Sequence, residues 1–380
     1  MELSVPQAFP LGRYLAHQRI VLETVKRVLE RGWYVLGTET ESFEREFAQY
    51  LGVAKAIGVG NGTDALELCL RGCGVGPGDK VVTVSHTAVA TVAAILRIGA
   101  VPWLVDVEPG SLCMDPHALE QVLEQDRCAG SGIRAIVPVH LYGRMADMPA
   151  IMELAAQYGD VPVIEDCAQA TGASWQGRKA GSWGKAAAFS FYPTKNLAAF
   201  GDAGMAVTRC DSIAESIHCM RQYGWRQRYI SESFGVNSRL DEIHAAVLRV
   251  MLPHLDEDNQ RRSSLADYYH AAILPSKGRD IRPERQPYPQ HVYHQYVVQV
   301  EDAGLLQRHL LQFGVSTVPH YPLPVHRMPA FLHAFPGHDQ LPVTDTLTGR
   351  LLSLPMFPDL MPKQATHVGK LICDWLDSNP

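Results

Sequence analysis

The sequence predicts an α/β fold, because short apolar runs alternate along the chain with helical patterns and turn glycines. Most of these runs are apolar throughout, as is typical of strands that are covered on both faces of a sheet. The helical segments between them require crossover connections, so a largely parallel sheet follows. The predicted strands cover residues 56–59, 80–84, 101–105, 135–139, 161–165, 187–191 and 205–208.

Helical patterns fill the intervals between these strands. Helices are predicted over residues 18–31, 64–71 and 148–158. A further helix is predicted to begin near Ser238, where apolar side chains start to recur at spacings of three and four. The four residues from Ser238 to Asp241 resemble a capping box, which would mark the beginning of that helix.

The pattern of the sequence changes after about Leu255. A polar helix, a Pro-rich loop at 282–290, an alternating strand at 293–300 and a helix ending at Gly314 follow one another. We therefore expect two domains, a large one over residues 1–254 and a smaller α+β one over residues 255–380.

Composition excludes several classes of partner. The chain has 380 residues, 46% of them hydrophobic, and a formal net charge of −6, so neither nucleic acid nor a membrane surface is an expected partner. The N-terminal residues lack the pattern of a secretory signal, which predicts a cytoplasmic protein. Eight scattered cysteines and sixteen histidines form no zinc-ribbon or H-E-x-x-H spacing, so we expect no metal.

Asp166 closes an apolar strand that begins at Val161. A carboxylate at the C-terminal end of a strand faces the crevice where open α/β sheets bind ligands. Such a carboxylate could accept a charge-assisted hydrogen bond from the ring nitrogen of pyridoxal phosphate. Taken alone, a residue of this kind is more often a helix cap or a partner in a structural salt bridge.

Lys195 lies 29 residues further on, after another apolar strand and a turn marked by Pro193. Most lysines are solvated surface charges. A lysine just past a buried strand can instead be partly desolvated, which lowers its pKa and provides the free amine needed to form an imine. The released amine could then move a proton between the substrate carbon and the cofactor.

The glycine-rich turn at 58–63 connects a strand to a helix. Free backbone N–H groups and the positive end of the helix dipole make such a turn a candidate phosphate site. The turn lacks the G-x-x-x-x-G-K-[ST] pattern, so nucleoside triphosphate hydrolysis is not indicated. A lone glycine turn is more often purely structural.

Together these segments resemble the DegT/DnrJ/EryC1/StrS family of sugar-nucleotide aminotransferases over nearly the whole chain. The similar stretches are YVLG (34–37), FEREF (43–47), GVGNGTDAL (58–66), VPVHLYG (137–143), EDCAQA (165–170), FSFYPTKNL (189–197) and NSRLDE (237–242). The resemblance implies the aspartate-aminotransferase fold (fold type I), with a mixed seven-stranded sheet in the large domain and a smaller C-terminal domain.

The resemblance also implies a role for several residues. Lys195 would bind pyridoxal 5′-phosphate covalently, Asp166 would pair with its ring nitrogen, and Gln169 would approach its ring hydroxyl. The phosphate would be held by Gly62, Thr63 and Ser190. The resemblance further implies a homodimer with shared active sites, in which Asn237 reaches the phosphate of the neighbouring subunit's cofactor.

One position departs from the family pattern. Family members usually place an aromatic residue over the cofactor face where this chain has Ala88. Stacking is therefore expected to be weaker or to come from elsewhere, and His86 is a candidate, although a structural turn histidine is equally compatible. Members that act as dehydratases replace the lysine with histidine, so Lys195 favours a transaminase.

The stretch HYPLPVH (320–326) resembles members that aminate the 3-keto group of dTDP-linked 6-deoxyhexoses. By this resemblance Tyr192, His320 and Tyr321 would contact the hexose, although a Pro-rich domain connection is the simpler alternative. The expected reaction moves the amino group of L-glutamate through pyridoxamine 5′-phosphate to C3 of a dTDP-3-keto-6-deoxyhexose. A C4 ketone, or a sugar linked to UDP or GDP, remains an alternative.

Two other classes of protein fit the sequence less well. A non-catalytic regulator that binds the cofactor could keep the fold, but Asp166, Gln169, Lys195 and Asn237 are all present. A Rossmann-type oxidoreductase would need a G-x-G-x-x-G turn after an early strand, with an acidic residue about 20 positions later, and the sequence has none.

Overall fold

The computed structural model describes residues 4–130, 132–275, 281–283, 290–332, 334–335 and 340–379. The α-helices are α1 (Pro10–Arg31), α2 (Thr38–Leu51), α3 (Gly62–Gly72), α4 (Val89–Arg97), α5 (Pro116–Ala129), α6 (Met148–Gln157), α7 (Asp211–Met220), α8 (Glu242–Met251), α9 (Leu255–Ala272), α10 (Ala303–Gln312), α11 (Pro342–Thr346) and α12 (Pro362–Ser378). The predicted alternation of helices and strands is confirmed.

The strands form one large sheet and several two-stranded ones. They are β1 (Lys55–Val59), β2 (Lys80–Val84), β3 (Val101–Val105), β4 (Ile133–Ile136), β5 (Ile164–Asp166), β6 (Ser174–Trp175), β7 (Arg178–Lys179), β8 (Ala186–Ser190), β9 (Gly204–Thr208), β10 (Trp225–Gln227), β11 (Ile230–Ser231), β12 (Tyr296–Gln299) and β13 (Leu351–Leu354). Each strand predicted for the large sheet is present, with ends that differ by up to three residues.

The large sheet is mixed. Ladders of order β1-β9-β8-β5 and β3-β2-β4 are joined by parallel bridges from Ile136 to Val163 and from Val139 to Asp166. The combined order is β1-β9-β8-β5-β4-β2-β3, in which β9 is antiparallel to both of its neighbours. The expected seven-stranded mixed sheet is therefore confirmed, and its parallel strands end together at the edge where Asp166 lies.

The helix predicted near Ser238 begins later than expected. Helix α8 starts at Glu242, and its first residue follows Asp241, whose side chain makes no capping hydrogen bond. The Ser238 hydroxyl instead donates to Asp64 Oδ2 at 2.7 Å and accepts from the Gly60 N–H at 2.9 Å. The capping-box interpretation was therefore wrong, because Ser238 serves the turn before α3.

A second hydrophobic cluster lies in the C-terminal part of the chain. Tyr269 from α9, Tyr296 from β12 and Ile372 from α12 are among its buried members, and Val5 joins them from the N-terminal segment. The predicted strand at 293–300 is β12, which pairs antiparallel with β13. The Pro-rich loop at 282–290 lies mostly outside the described residues, and the domain boundary at residue 254 stays a prediction.

Among the helices that the structure describes, none has both the length and the apolar character needed to cross a membrane.

Candidate active site

A cavity of about 260 Å³ lies at the C-terminal edge of the large sheet. Strand β5 ends there in Asp166 and strand β8 ends in Ser190, while α3 begins at Gly62 on the same side. Side chains at strand ends converge because neighbouring strands of the sheet stop at one edge. The lining residues are Asn61, Gly62, Thr63, Leu66, Thr87, Ala88, Ala90, Val139, Asp166, Ala168, Gln169, Ser190, Tyr192, Lys195 and Asp202.

Most of the residues singled out from the sequence meet in this cavity. Those that line it are Gly62, Thr63, Ala88, Asp166, Gln169, Ser190, Tyr192 and Lys195. His320 and Tyr321 lie beside it and do not line it, and Asn237 is exposed elsewhere on the surface. The fold thus brings residues that are more than a hundred positions apart in sequence into one cavity.

The Asp166 carboxylate is buried and firmly held. Its Oδ2 accepts a hydrogen bond from the Thr91 hydroxyl at 2.8 Å, and its Oδ1 accepts from the Ala168 N–H at 3.1 Å. Only 8% of the residue is exposed. An ionised carboxylate can accept about four hydrogen bonds, so it retains acceptor capacity for a donor in the cavity.

Lys195 is placed where its amine can be neutral. Burial lowers the pKa of Lys195 to about 8, and the nearby charge of Asp166 raises it by a smaller amount. The loss of water favours the uncharged amine, whereas the carboxylate favours the ammonium. At pH 7 about a tenth of Lys195 is therefore the free amine that a carbonyl carbon requires, far more than for an ordinary lysine.

The start of α3 provides backbone donors at the other end of the cavity. Asn61 caps the helix by accepting from the Asp64 N–H at 2.8 Å, and its carbonyl accepts from the Ala65 N–H. The first N–H groups of a helix have no partner inside the helix. Those of Gly62 and Thr63 therefore remain to bind an anion, and the helix dipole adds to the attraction.

Close packing explains Gly62 in this turn and Gly204 at the start of the neighbouring strand β9. A Cβ atom on Gly62 would lie 2.7 Å from Ser190 Cβ, and one on Gly204 would lie 2.3 Å from the Asn61 carbonyl carbon. Both distances are too short for any side chain without movement of the backbone. The start of α3 is thereby held against the end of β8, which brings the Ser190 side chain next to the free N–H groups.

The polar groups of this cavity fit pyridoxal 5′-phosphate. The carboxylate of Asp166 suits a protonated ring nitrogen, and the amine of Lys195 suits an aldehyde carbon. The N–H groups of Gly62 and Thr63 suit a phosphate. A group that carries all three functions is therefore matched by an acceptor, a nucleophilic amine and a set of backbone donors.

Gln169 connects the cavity to the C-terminal segment. Its Oε1 accepts from the Tyr142 N–H at 2.8 Å, and its Nε2 donates to the Tyr321 hydroxyl at 2.8 Å. Because that hydroxyl accepts from Gln169, its own proton is available to another acceptor. Burial raises the pKa of Tyr321 to about 12, so the hydroxyl keeps this proton at neutral pH.

His320 is partly buried beside this network. Its Nδ1 is 2.8 Å from the Ser353 hydroxyl, and its carbonyl oxygen accepts from the Tyr142 hydroxyl. Burial lowers the pKa of His320 to about 4, and the charge of Lys195 adds to this lowering. The imidazole is therefore neutral and can both donate and accept hydrogen bonds.

His86 does not replace the aromatic residue that family members usually have at the position of Ala88. It is buried outside the cavity lining, with Nε2 2.9 Å from the Tyr142 hydroxyl. Burial lowers its pKa to about 4, which leaves a neutral ring in a structural hydrogen bond. Of the two alternatives for His86, the geometry matches the structural one.

One buried group of potential metal ligands contains His140, Glu165 and Cys167. Glu165 accepts from the N–H groups of Gly181, Trp183 and Gly184 at 2.7–2.8 Å, and His140 Nε2 lies 3.0 Å from its carboxylate. The other ring nitrogen of His140 accepts from a backbone N–H. These hydrogen bonds tie the end of β5 to neighbouring loops, which is a structural role.

Several lining residues were not predicted from the sequence. They are Asn61, Leu66, Thr87, Ala90, Val139, Ala168 and Asp202. Asn61 and Leu66 lie inside the glycine-turn motif and could have been inferred from it. Asp202 follows a turn of no special pattern, and only the pairing of β8 with β9 brings it to the cavity.

The comparison with family models agrees with this geometry. The model of the DegT/DnrJ/EryC1/StrS aminotransferase family matches residues 17–372. The chain belongs to this family. It is accordingly a pyridoxal-phosphate-dependent aminotransferase that acts on sugar nucleotides, with the fold of the family.

Individual relatives of this family member are similar over almost their whole length. A dTDP-3-amino-3,4,6-trideoxy-alpha-D-glucose transaminase from Streptomyces venezuelae is 42% identical over 368 residues, which are 95% of this chain and 94% of the relative. A UDP-N-acetyl-3-dehydro-alpha-D-glucosamine 3-aminotransferase from Acidithiobacillus ferrooxidans is 38% identical over 353 residues, 93% of this chain and 92% of the relative.

A solved structure of the family has the same fold. The crystal structure of S. venezuelae DesV in complex with a ketimine intermediate matches with a TM-score of 0.93 and 41% sequence identity, covering 98% of this chain and 99% of DesV. The aminotransferase fold expected from the sequence is thereby confirmed.

Proposed function

We propose that this aminotransferase moves the amino group of L-glutamate to C3 of a dTDP-3-keto-6-deoxyhexose, giving a dTDP-3-amino-3,6-dideoxyhexose. The observation that carries the proposal is the joint presence of Asp166, Lys195 and the start of α3 around one cavity, with the His320–Tyr321 pair beside it. The 42% identical transaminase named for a dTDP-3-amino sugar supports the nucleotide and the position.

A UDP-linked 3-keto sugar is the second candidate. The 38% identical 3-aminotransferase from A. ferrooxidans is named for a UDP-linked substrate. Its similarity supports amination at C3 but favours uracil over thymine as the nucleobase of the substrate. Since both relatives are named for the same sugar position, the position is better supported than the nucleotide.

The contacts above support an assignment for the cofactor end of the cavity. We assign Asp166 to the ring nitrogen, Gly62, Thr63 and Ser190 to the phosphate, and Lys195 to the carbonyl carbon. Gln169 is assigned to the ring hydroxyl, since its Nε2 has a second proton besides the one given to Tyr321. Ala88 would lie against the face of the ring.

When bound, pyridoxal phosphate supplies a carbonyl that takes up the amino group and a ring that withdraws electrons from the substrate carbon. Asp166 keeps the ring nitrogen protonated, because a buried carboxylate stabilises a positive charge beside it. Lys195 Nζ removes a proton from the α-carbon of glutamate and delivers one to C3 of the sugar. Its lowered pKa allows it to act as a base near neutral pH.

The substrate end is assigned to Tyr192, His320 and Tyr321. Tyr192 lines the cavity and is half exposed, so its ring is accessible to a sugar. The Tyr321 hydroxyl has a free proton, and the neutral imidazole of His320 adds a donor or an acceptor. Such neutral groups suit hydroxyl and ketone oxygens of a hexose.

We also propose a homodimer with shared active sites. Asn237 is exposed and lies outside the cavity of its own chain, as expected for a residue that serves a neighbouring subunit. Substitution Asn237→Ala should then weaken cofactor binding without loss of the dimer. A fully active monomer in analytical ultracentrifugation with an enzyme assay would contradict the shared site.

The reaction is tested by a panel of nucleotide-linked keto sugars. The enzyme is incubated with L-glutamate and, separately, dTDP-3-keto, dTDP-4-keto and UDP-3-keto sugars, and each product is analysed by mass spectrometry and NMR. We expect the dTDP-3-keto sugar to be aminated with the highest kcat/KM. Reactions without glutamate are the control, and amination at C4 alone, or a preference for the UDP sugar, would overturn the corresponding part of the proposal.

A further inference from the structure

Thr91 lies behind Asp166, outside the cavity lining. It is fully buried in the first turn of α4, and its hydroxyl donates to Asp166 Oδ2 at 2.8 Å. A threonine in a helix often bonds the carbonyl one turn earlier. Here the hydroxyl points across to another element, so its proton is committed to the carboxylate that faces the cavity.

A second hydroxyl extends this contact. Thr87 Oγ1 lies 2.8 Å from Thr91 Oγ1, and Thr87 lines the cavity. A hydroxyl has one proton, and an ionised carboxylate can only accept. Because Thr91 donates to Asp166, Thr87 must donate to Thr91, and the two hydroxyls form a chain that ends on the carboxylate. Successive hydrogen bonds of this kind polarise and strengthen one another.

The chain fixes the orientation of the carboxylate. Thr91 holds Oδ2 and the Ala168 N–H holds Oδ1, so rotation of the carboxylate about its bond to Cβ would break one of the two contacts. Among the described residues that line the cavity, Tyr192 is the single aromatic one. With little aromatic surface to align a ring by stacking, the hydrogen bonds at the ring edge carry more of its orientation.

We propose that Thr91 is a positioning residue, which acts through Asp166 to fix the ring nitrogen of the cofactor. This inference rests on the pairing of Asp166 with that nitrogen in the proposed function. Thr91 touches neither cofactor nor substrate; its hydrogen bond sets the direction of the carboxylate. The Thr87 hydroxyl supports Thr91 in the same way, one step further away.

The test is the affinity of the apoenzyme for pyridoxal phosphate. The dissociation constant is measured by fluorescence quenching for the wild type, Thr91→Val, Thr91→Ser and Thr87→Val. Valine keeps the shape and removes the hydroxyl, so we expect about a tenfold weaker affinity for Thr91→Val, since a hydrogen bond to a charged group is lost. Thr91→Ser should restore the affinity, and Thr87→Val should weaken it about threefold.

Thr83→Val is the matched control. Thr83 is also fully buried, but its hydroxyl donates to the Val137 carbonyl oxygen at 2.9 Å, away from the carboxylate. Both valine variants should lower the melting temperature of the apoenzyme, whereas only Thr91→Val should reduce the increase in melting temperature on adding the cofactor. An equal affinity in Thr91→Val and Thr83→Val, or a failure of Thr91→Ser to rescue, would overturn the proposal.

Two further variants, Thr91→Cys and Asp166→Ala, test the proposal if Thr91→Val does not fold or if its affinity is unchanged. If Thr91→Val does not fold, Thr91→Cys replaces it, because a thiol is a weak donor and should give an intermediate affinity. A wild-type affinity in that variant would also overturn the proposal. Asp166→Ala distinguishes the role of Thr91 from the pairing of Asp166 with the ring nitrogen. A large loss with Asp166→Ala but none with Thr91→Val rejects Thr91 alone, while no loss with Asp166→Ala rejects the pairing itself.

Discussion

The two sides of the cavity are built differently. The strand-end wall (Gly62, Asp166, Ser190 and Lys195) contains the last residues of β5 and β8, the first residue of α3, and a lysine five residues beyond β8. The C-terminal segment 320–326 reaches the cavity only indirectly, through the hydrogen bond from Gln169 to Tyr321. The first side is fixed by the sheet, whereas the second is held by side-chain contacts, the burial of Val325 and the hydrogen bond from its N–H to the Ser85 carbonyl. In the proposed function, cofactor chemistry is assigned to the first side and sugar selection to the second.

The largest effect should come from removing the amine of the strand-end wall. We expect Lys195→Ala to reduce turnover by a factor on the order of ten thousand or more, since both the covalent link and the base are lost. The purified variant should also lack the visible absorbance of lysine-bound cofactor. Lys185→Ala, which removes an exposed lysine, is the control and should behave as wild type. A yellow, active Lys195→Ala protein would be incompatible with the assigned wall.

The strand-end wall was largely predictable from the sequence because its residues lie next to strong local signals. An apolar strand that ends in Asp166, and one followed by Lys195, fix the positions of both side chains relative to the sheet. Asp202 and Thr91 had no such signal, because their contacts arise from the pairing of β9 and the packing of α4. Ser238 was misread for a related reason, since its partners Gly60 and Asp64 are remote in sequence.

The C-terminal segment was predictable only as a motif. The stretch from His320 to His326 identified candidate contacts, but nothing in its pattern separates the two histidines. The structure gives them different partners: His320 contacts Ser353, whereas His326 Nδ1 lies 2.7 Å from the Ser85 hydroxyl at the end of β2. Which imidazole lies nearer the cavity is a matter of tertiary contacts, which a short motif does not encode.

The next largest effect concerns pH. Burial lowers the pKa of Lys195 to about 8, so the neutral amine increases about tenfold per pH unit below that value and levels off above it. The rate at which apoenzyme binds pyridoxal phosphate covalently should rise accordingly, as followed by stopped-flow absorbance. Because the Asp166 charge raises this pKa, Asp166→Asn should move the midpoint to lower pH. A midpoint near the ordinary lysine value would show that the wall does not desolvate the amine.

A smaller effect is expected from the phosphate end of the same wall. In Gly62→Ala the added Cβ would lie 2.7 Å from Ser190 Cβ, so the start of α3 must move away from β8. We expect the dissociation constant for pyridoxal phosphate to rise about tenfold, because the N–H donors leave their positions. Gly76→Ala is a matched control, since a Cβ there meets nothing within 4 Å. An unchanged affinity of Gly62→Ala for pyridoxal phosphate would show that the start of α3 does not bind the phosphate.

The smallest effect should come from the C-terminal segment. His326 is buried, and it joins the Ser85 hydroxyl to Asp345, whose Oδ1 lies 3.1 Å from His326 Nε2. His326→Ala removes both contacts, so the segment should be held less firmly against the end of β2. We expect KM for the keto sugar to rise about threefold, because loosening the segment costs part of one or two hydrogen bonds, while the affinity for pyridoxal phosphate stays the same.

Arg327→Ala is the matched variant for this last comparison. Arg327 pairs with the same Asp345, but its side chain is about half exposed, and an exposed ion pair contributes little. It should therefore leave KM for the sugar unchanged, whereas His326→Ala should raise it. If His326→Ala weakened the binding of pyridoxal phosphate as much as Gly62→Ala does, the division between the two sides would fail, because the segment would then support the cofactor as directly as the sheet does.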